Sequence, residues 1–173
     1  MKKFGLLLCT MFAGILTMYG QGAKNIKINE VLTNNTANLQ DEFGNRRAWI
    51  ELANTSFSTY DVRGMYITTD RRVLNKGLSV PQRIKMMSCI PNGDNRTSMS
   101  AREHLLFFFN SNPSHGTLHL SAQISKDKPT WIALYDGNAV DIIDSVTVPP
   151  LAANQSYARI KDGADQWAVK TSD

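Results

Sequence analysis

The chain has 173 residues, of which 42% are hydrophobic and 20% charged; that is enough apolar material for the core of one domain and too polar for a multi-span membrane protein. Nineteen basic residues stand against fifteen acidic, but two of the basic ones, Lys2 and Lys3, fall in a leader, leaving seventeen against fifteen and a net charge of +2. So small an excess makes the charge balance weak evidence for nucleic-acid binding.

The opening stretch "MKKFGLLLCTMFAGILTMYGQG" has a basic start, an apolar run from Phe4 to about Tyr19 and a small-residue pair at Gly20 and Gly22. This pattern predicts a cleavable signal peptide over 1–22 and an exported domain over 23–173, with no integral membrane span after cleavage. Cys9 follows Leu8, where lipoprotein processing requires a small residue, so no lipid anchor is expected. The mature chain keeps one cysteine, Cys89, which forbids an internal disulfide. Its neighbours Met86, Met87 and Ile90 are apolar, and a small buried hydrophobe is expected there.

Beyond the leader, short alternating or apolar runs are separated by turn residues, and no stretch sustains helical spacing. In chain order the expected strands are 25–32, 48–54, 64–68, 104–110, 130–136, 139–148 and 156–160, with a final pairing around Trp167. "DGN" at 136–138 predicts a tight hairpin turn with glycine supplying the positive φ. Seven or more strands without helix alternation point to an all-β, two-sheet antiparallel sandwich. The polar span 83–103, with "PNGDNRTSMSARE" inside it, is expected to be a long surface loop available for contacts.

Within "AWIELAN" (48–54), alternation puts Ala48, Ile50 and Leu52 on one face and Trp49, Glu51 and Ala53 on the other. General acid-base work by Glu51 would need a second carboxylate or a histidine within hydrogen-bond reach. The sequence supplies none convincingly, and a framework bond, for instance to Arg46, Arg47 or Arg159, is expected instead.

Several ordered motifs resemble the lamin tail domain family, whose fold is an immunoglobulin-like antiparallel β-sandwich. "IKINEVLTNN" (26–35) is similar to its opening strand and Asn-rich turn, and "WIELANTS" (49–56) to its Trp-Ile-Glu-Leu-x-Asn signature. "DVRGMYITTD" (61–70) resembles its Asp-Leu-x-Gly-Trp segment, with Met65 where tryptophan is usual. "WIALYDGNAVDIIDSVTV" (131–148) and "SYARIKDGADQW" (156–167) resemble its hairpin and closing strand, with Ala158 where glycine is usual. The resemblance spans about 26–168. It implies structural roles for Trp49, Glu51, Asn54, Gly64, Asp70, Asp144, Tyr157, Arg159, Asp162, Gly163 and Trp167.

Other chemistry finds less support. His115 and His119 share one face if the segment is extended, but their alpha carbons would then stand about 13 Å apart, too far for easy chelation of one ion unless a turn at Gly116 shortens the gap. Asp136, Asp141 and Asp144 lack calcium-loop spacing, and neither a Gly-x-Ser-x-Gly elbow nor a phosphate loop is present. The expectation is a non-enzymatic module without catalytic residues, cofactor or metal, located in the periplasm, at the outer membrane, on the surface or outside the cell. It would serve as a structural or interaction partner of an envelope or extracellular protein. A second expectation is a nucleic-acid-binding accessory module, beside extracytoplasmic nucleases or phosphoesterases, using the basic stretch at Arg71 and Arg72 for weak contact. A third is a small metal-dependent hydrolase built on the histidine pair.

Overall fold

The computed structural model describes residues 22–171; apart from Gly22, the expected leader lies outside the described residues. Twelve strands follow one another among them: β1 (Ile26–Leu32), β2 (Trp49–Asn54), β3 (Tyr60–Asp61), β4 (Tyr66–Thr68), β5 (Ser88–Cys89), β6 (Ser98–Met99), β7 (His104–Phe109), β8 (His119–Leu120), β9 (Thr130–Tyr135), β10 (Ile142–Val148), β11 (Gln155–Arg159) and β12 (Trp167–Thr171). One short helix, α1 (Val80–Ile84), and three 3-10 turns complete the described elements.

The strands form a six-stranded sheet in the order β12-β11-β1-β2-β7-β8, a four-stranded sheet β10-β9-β4-β5 and a small pair β3-β6. Every pairing is antiparallel except β7 with β8. The molecule is therefore mostly β, with several antiparallel sheets in a sandwich-like arrangement. Each of the seven expected strands is present within three residues of its ends, the start of 139–148 being the furthest off at Ile142, and Trp167 pairs back onto Arg159.

Side-chain alternation builds the core. Ile26, Ile28 and Val31 of β1, Ile50 and Leu52 of β2, and Phe107 and Phe109 of β7 meet Ile67, Ile132, Leu134, Val146 and Val148 from the second sheet. Each such fully buried side chain contributes roughly 1.5–3 kcal/mol of transfer free energy. The opposite parity makes smaller clusters on the outer faces: Leu32, Trp49 and Phe108 on one sheet, Val73, Ala133 and Tyr135 on the other.

The pairing of β1 with β2 slips between Ile28 and Glu30, leaving Asn29 as an inserted residue. A bulge of this kind bends the strand and leaves backbone groups without ladder partners. It organises the polar sites described below.

Two expectations about connections are corrected. The 83–103 span is not a free surface loop: it carries β5, a 3-10 turn (Asn95–Thr97) and β6, and it buries Ile90, Thr97 and Met99 to within 1% of full enclosure. Its polar residues cover an apolar minority that anchors it. The β9-β10 hairpin forms, but the residue with positive φ is Ala139 at +56°, not Gly137. A loop from Asp136 to Asp141, closed by Asp136 N–H on Asp141 O at 2.9 Å, replaces the two-residue turn.

Candidate functional site

Ile28 keeps its partner Leu52 in β2, but the pairing of β1 with β11 starts only at Glu30 beyond the bulge, and on that edge two motif side chains take up its backbone. Asp144 Oδ2 accepts from Ile28 N–H at 2.8 Å, and Arg159 Nε donates to Ile28 O at 2.8 Å. The guanidinium also donates to Ala164 O and, through its second terminal nitrogen, to both Asp144 oxygens at 3.1 and 2.9 Å. Trp167 lies under it, 4.6 Å from the guanidinium carbon to the ring centre, and stacks on Tyr157 at 5.2 Å. Asp144 belongs to the four-stranded sheet and Arg159 to the six-stranded one. This cluster therefore ties the two sheets at the bulge.

Glu51 stands beside that clamp on the outer face. Its Oε1 accepts from Asn29 Nδ2 at 3.0 Å, and the same amide nitrogen donates to Asp162 Oδ1 at 3.2 Å. The expected arginine partner is not used: Arg47 pairs with Asp41 and Arg159 with Asp144. His104 Nε2 lies 3.2 Å from Asp162 Oδ2, so the imidazole meets the neighbouring carboxylate. Gly163, at φ +71°, turns the chain so that Asp162 faces Asn29. Asn54 is buried and donates to the carbonyls of Ser58, Met99 and Ser100, holding three segments together. Gly64, at φ +77°, donates its N–H to Ile90 O at 2.8 Å.

Asp70 sits in a different place. It accepts from Arg72 N–H at 3.0 Å and pairs with the Arg72 guanidinium at 2.5 Å, and this side-chain bond holds its carboxyl below the ordinary value. Arg71 and Arg72 start the 3-10 turn Arg71–Leu74, which borders an open cleft of about 620 Å³ lined by Thr69, Arg71, Arg72, Ser125, Lys128 and Trp131. Arg71 lies 5.6 Å from the Trp131 ring centre. The cleft combines an aromatic floor with cations, and Asp70 offsets one of them.

The histidine pair departs from the extended-chain expectation. Gly116, at φ +119°, and the bond from His119 N–H to Gly116 O at 3.1 Å fold the segment back. The two imidazole centres then stand 5.5 Å apart, with Asn110 Nδ2 facing both rings. Among the described residues, no group of three or more His, Cys, Asp or Glu side chains is placed to hold a metal ion.

Cys89 corrects the expectation of a buried thiol: it is exposed. Partial desolvation raises its pKa against a weaker opposing hydrogen bond from Tyr66, which favours the thiol over the nucleophilic thiolate.

Sequence reasoning singled out Asp144, Arg159, Glu51 and Asp162, and the structure brings them together around β1. It missed Asn29 as their hub, Asn110 as the link between the histidines, and Lys128 and Trp131 as walls of the basic cleft. One trace of the hub is readable: the apolar positions of β1 switch parity between Ile28 and Val31. No family model, no curated protein and no solved structure matches this chain.

Proposed function

We propose that the chain is an exported, non-catalytic lamin-tail-type domain of immunoglobulin-like fold, acting as a structural or protein-interaction module in a bacterial cell envelope or extracellular assembly. One observation carries this reading. The motif residues Asp144 and Arg159 are taken up in bonding to each other and to the backbone of Ile28. These are framework bonds between sheets, and Glu51 likewise bonds to the bulge residue Asn29.

A candidate contact point stands apart from that framework. Phe57 is 85% exposed and is covered on one side only by Arg102, 4.3 Å from the ring centre. An exposed aromatic beside an arginine has the composition of an interface anchor. The test is a pull-down from envelope fractions, with the domain carrying Phe57→Ser and Arg102→Ala as control. The reading expects a partner retained by the parent and lost by the double variant. Retention unchanged by those substitutions would remove this surface, and failure to retain any envelope protein would remove the interaction reading.

A second reading, the nucleic-acid-binding accessory module, is favoured by the cleft of Arg71, Lys128 and Trp131. Basic side chains along an aromatic wall suit a single strand, whose phosphates pair with the cations while a base meets the ring. Two such contacts would give a log-log salt slope of roughly −1.4 for single strands. Fluorescence anisotropy with a labelled oligonucleotide between low and physiological salt measures it, and Arg71→Ala with Lys128→Ala should flatten it. A slope insensitive to both substitutions would discard this reading.

A further inference from the structure

The segment after β7 gathers four groups that the preceding reading does not use. Asn110 Oδ1 accepts from Asn112 N–H at 2.8 Å, which turns its Nδ2 towards the two histidines. That nitrogen lies 3.0 Å from His115 Nδ1 and 2.6 Å from His119 Nδ1. An amide nitrogen can only donate, so both Nδ1 atoms are acceptors and both present lone pairs to one point. On the other side of its ring, His119 Nε2 lies 2.9 Å from Glu42 Oε2 and carries the proton. Phe43 packs on both imidazoles, at 4.7 and 5.8 Å between ring centres, and Phe108 stacks on His119 at 5.7 Å.

We propose that His115 and His119 form a binding site for a transition-metal ion of the copper(II), nickel(II) or zinc(II) class, with Nδ1 of each ring as ligand. Neutral imidazole suits these ions and not calcium or magnesium, and copper(II) is bound most strongly within the series. Two imidazoles that hold one ion through bonds of about 2.1 Å at a tetrahedral angle have ring centres about 5 Å apart. The observed 5.5 Å needs only a small closing movement. Glu42 plays the part of the carboxylate that fixes the tautomer and ring orientation of a metal-bound histidine.

The Asn110 amide nitrogen, a hydrogen-bond donor to both rings, stands where the ion would sit. Binding turns the amide about its Cβ–Cγ bond, presenting Oδ1 as a third donor in exchange for the bond from Asn112 N–H. Water completes the coordination, so this is an open binding site and not a closed structural one.

The test titrates the full chain with copper(II) chloride, by calorimetry and by electron paramagnetic resonance. One equivalent is expected to bind with a signal split by two imidazole nitrogens. His115→Ala or His119→Ala should weaken binding at least ~10-fold and remove the two-nitrogen pattern, and Glu42→Gln should weaken it about 10-fold. Asn110→Asp, which keeps the shape and adds a charged oxygen donor, should tighten it. His104→Ala, on the sheet's outer face, should leave it unchanged.

Nitrogen-15 spectra of the unsubstituted chain with zinc(II) guard against misfolded variants: the His115 and His119 Nδ1 resonances should shift and those of His104 should not. Copper binding that survives loss of both histidines would overturn the proposal. So would zinc shifts equal at all three histidines, or the absence of one-to-one binding.

Discussion

Arg159 and Asp144, contributed by different sheets and only 5% and 12% exposed in their side chains, grip the same residue from two sides: Ile28 donates its N–H to Asp144 and gives its carbonyl to Arg159. Asp144→Ala would leave a buried guanidinium without its counter-charge and Ile28 N–H without an acceptor. The expected loss is about 3–5 kcal/mol, read from urea unfolding. Replacing both partners by apolar residues (Asp144→Leu with Arg159→Met) should cost less than Asp144→Ala alone, because no charge is then stranded. A single-variant loss below ~1 kcal/mol would reduce the pair to a surface contact.

Alternation in "WIELAN" was enough to sort Ile50 and Leu52 from Trp49 and Glu51, because burial on one sheet face imposes a period of two. The chain partners of Asp144 and Arg159 were not legible in the same way. Both bind the backbone of Ile28, left open where the pairing of β1 with β11 ends at Glu30, and backbone groups carry no sequence letter. The histidine pair follows a related rule: spacing alone gives the extended distance, and only the backbone, with Gly116 at φ +119°, decides that a turn shortens it.

Asp41 provides a pH-dependent stability term. Burial opposes its ionisation, but bonds from Asn45 N–H at 2.8 Å, Arg47 Nε at 2.8 Å and Phe43 N–H at 3.0 Å outweigh it and lower its pKa from 3.8. A carboxyl whose folded pKa is depressed stabilises fully above its unfolded value, and the contribution is lost as pH falls through the folded value. Asp41→Asn should therefore cost about 2 kcal/mol at neutral pH. The gap between variant and parent should close on acidification below pH 3.8, as read from urea midpoints across a pH series.

The 83–103 span should behave as part of the core. Met99→Ala, at 1% exposure, is expected to cost about 2–5 kcal/mol. Arg96→Ala, which removes an exposed pair with Asp94, should stay within about 1 kcal/mol. Equal and small effects from both would mean that the span is held loosely.

Two turns with left-handed backbone should both favour glycine over alanine. An added Cβ at Gly163, φ +71°, would stand 2.7 Å from Thr55 Cγ2, so Gly163→Ala should destabilise by roughly 1–2 kcal/mol or more. Ala139→Gly, at φ +56°, relieves a left-handed alanine and should shift the melting temperature upward, offset in part by the freer unfolded chain.

The hydrogen bond from Arg159 to Ile28 joins positions 131 residues apart. The first strand of the domain therefore receives its closing partners only when the last third of the chain arrives. Contacts of such long sequence separation slow folding because the loop must close before they repay its entropy. β1 can pair early with the nearby β2, whereas the clamp that ties the two sheets waits on residues more than a hundred positions further along.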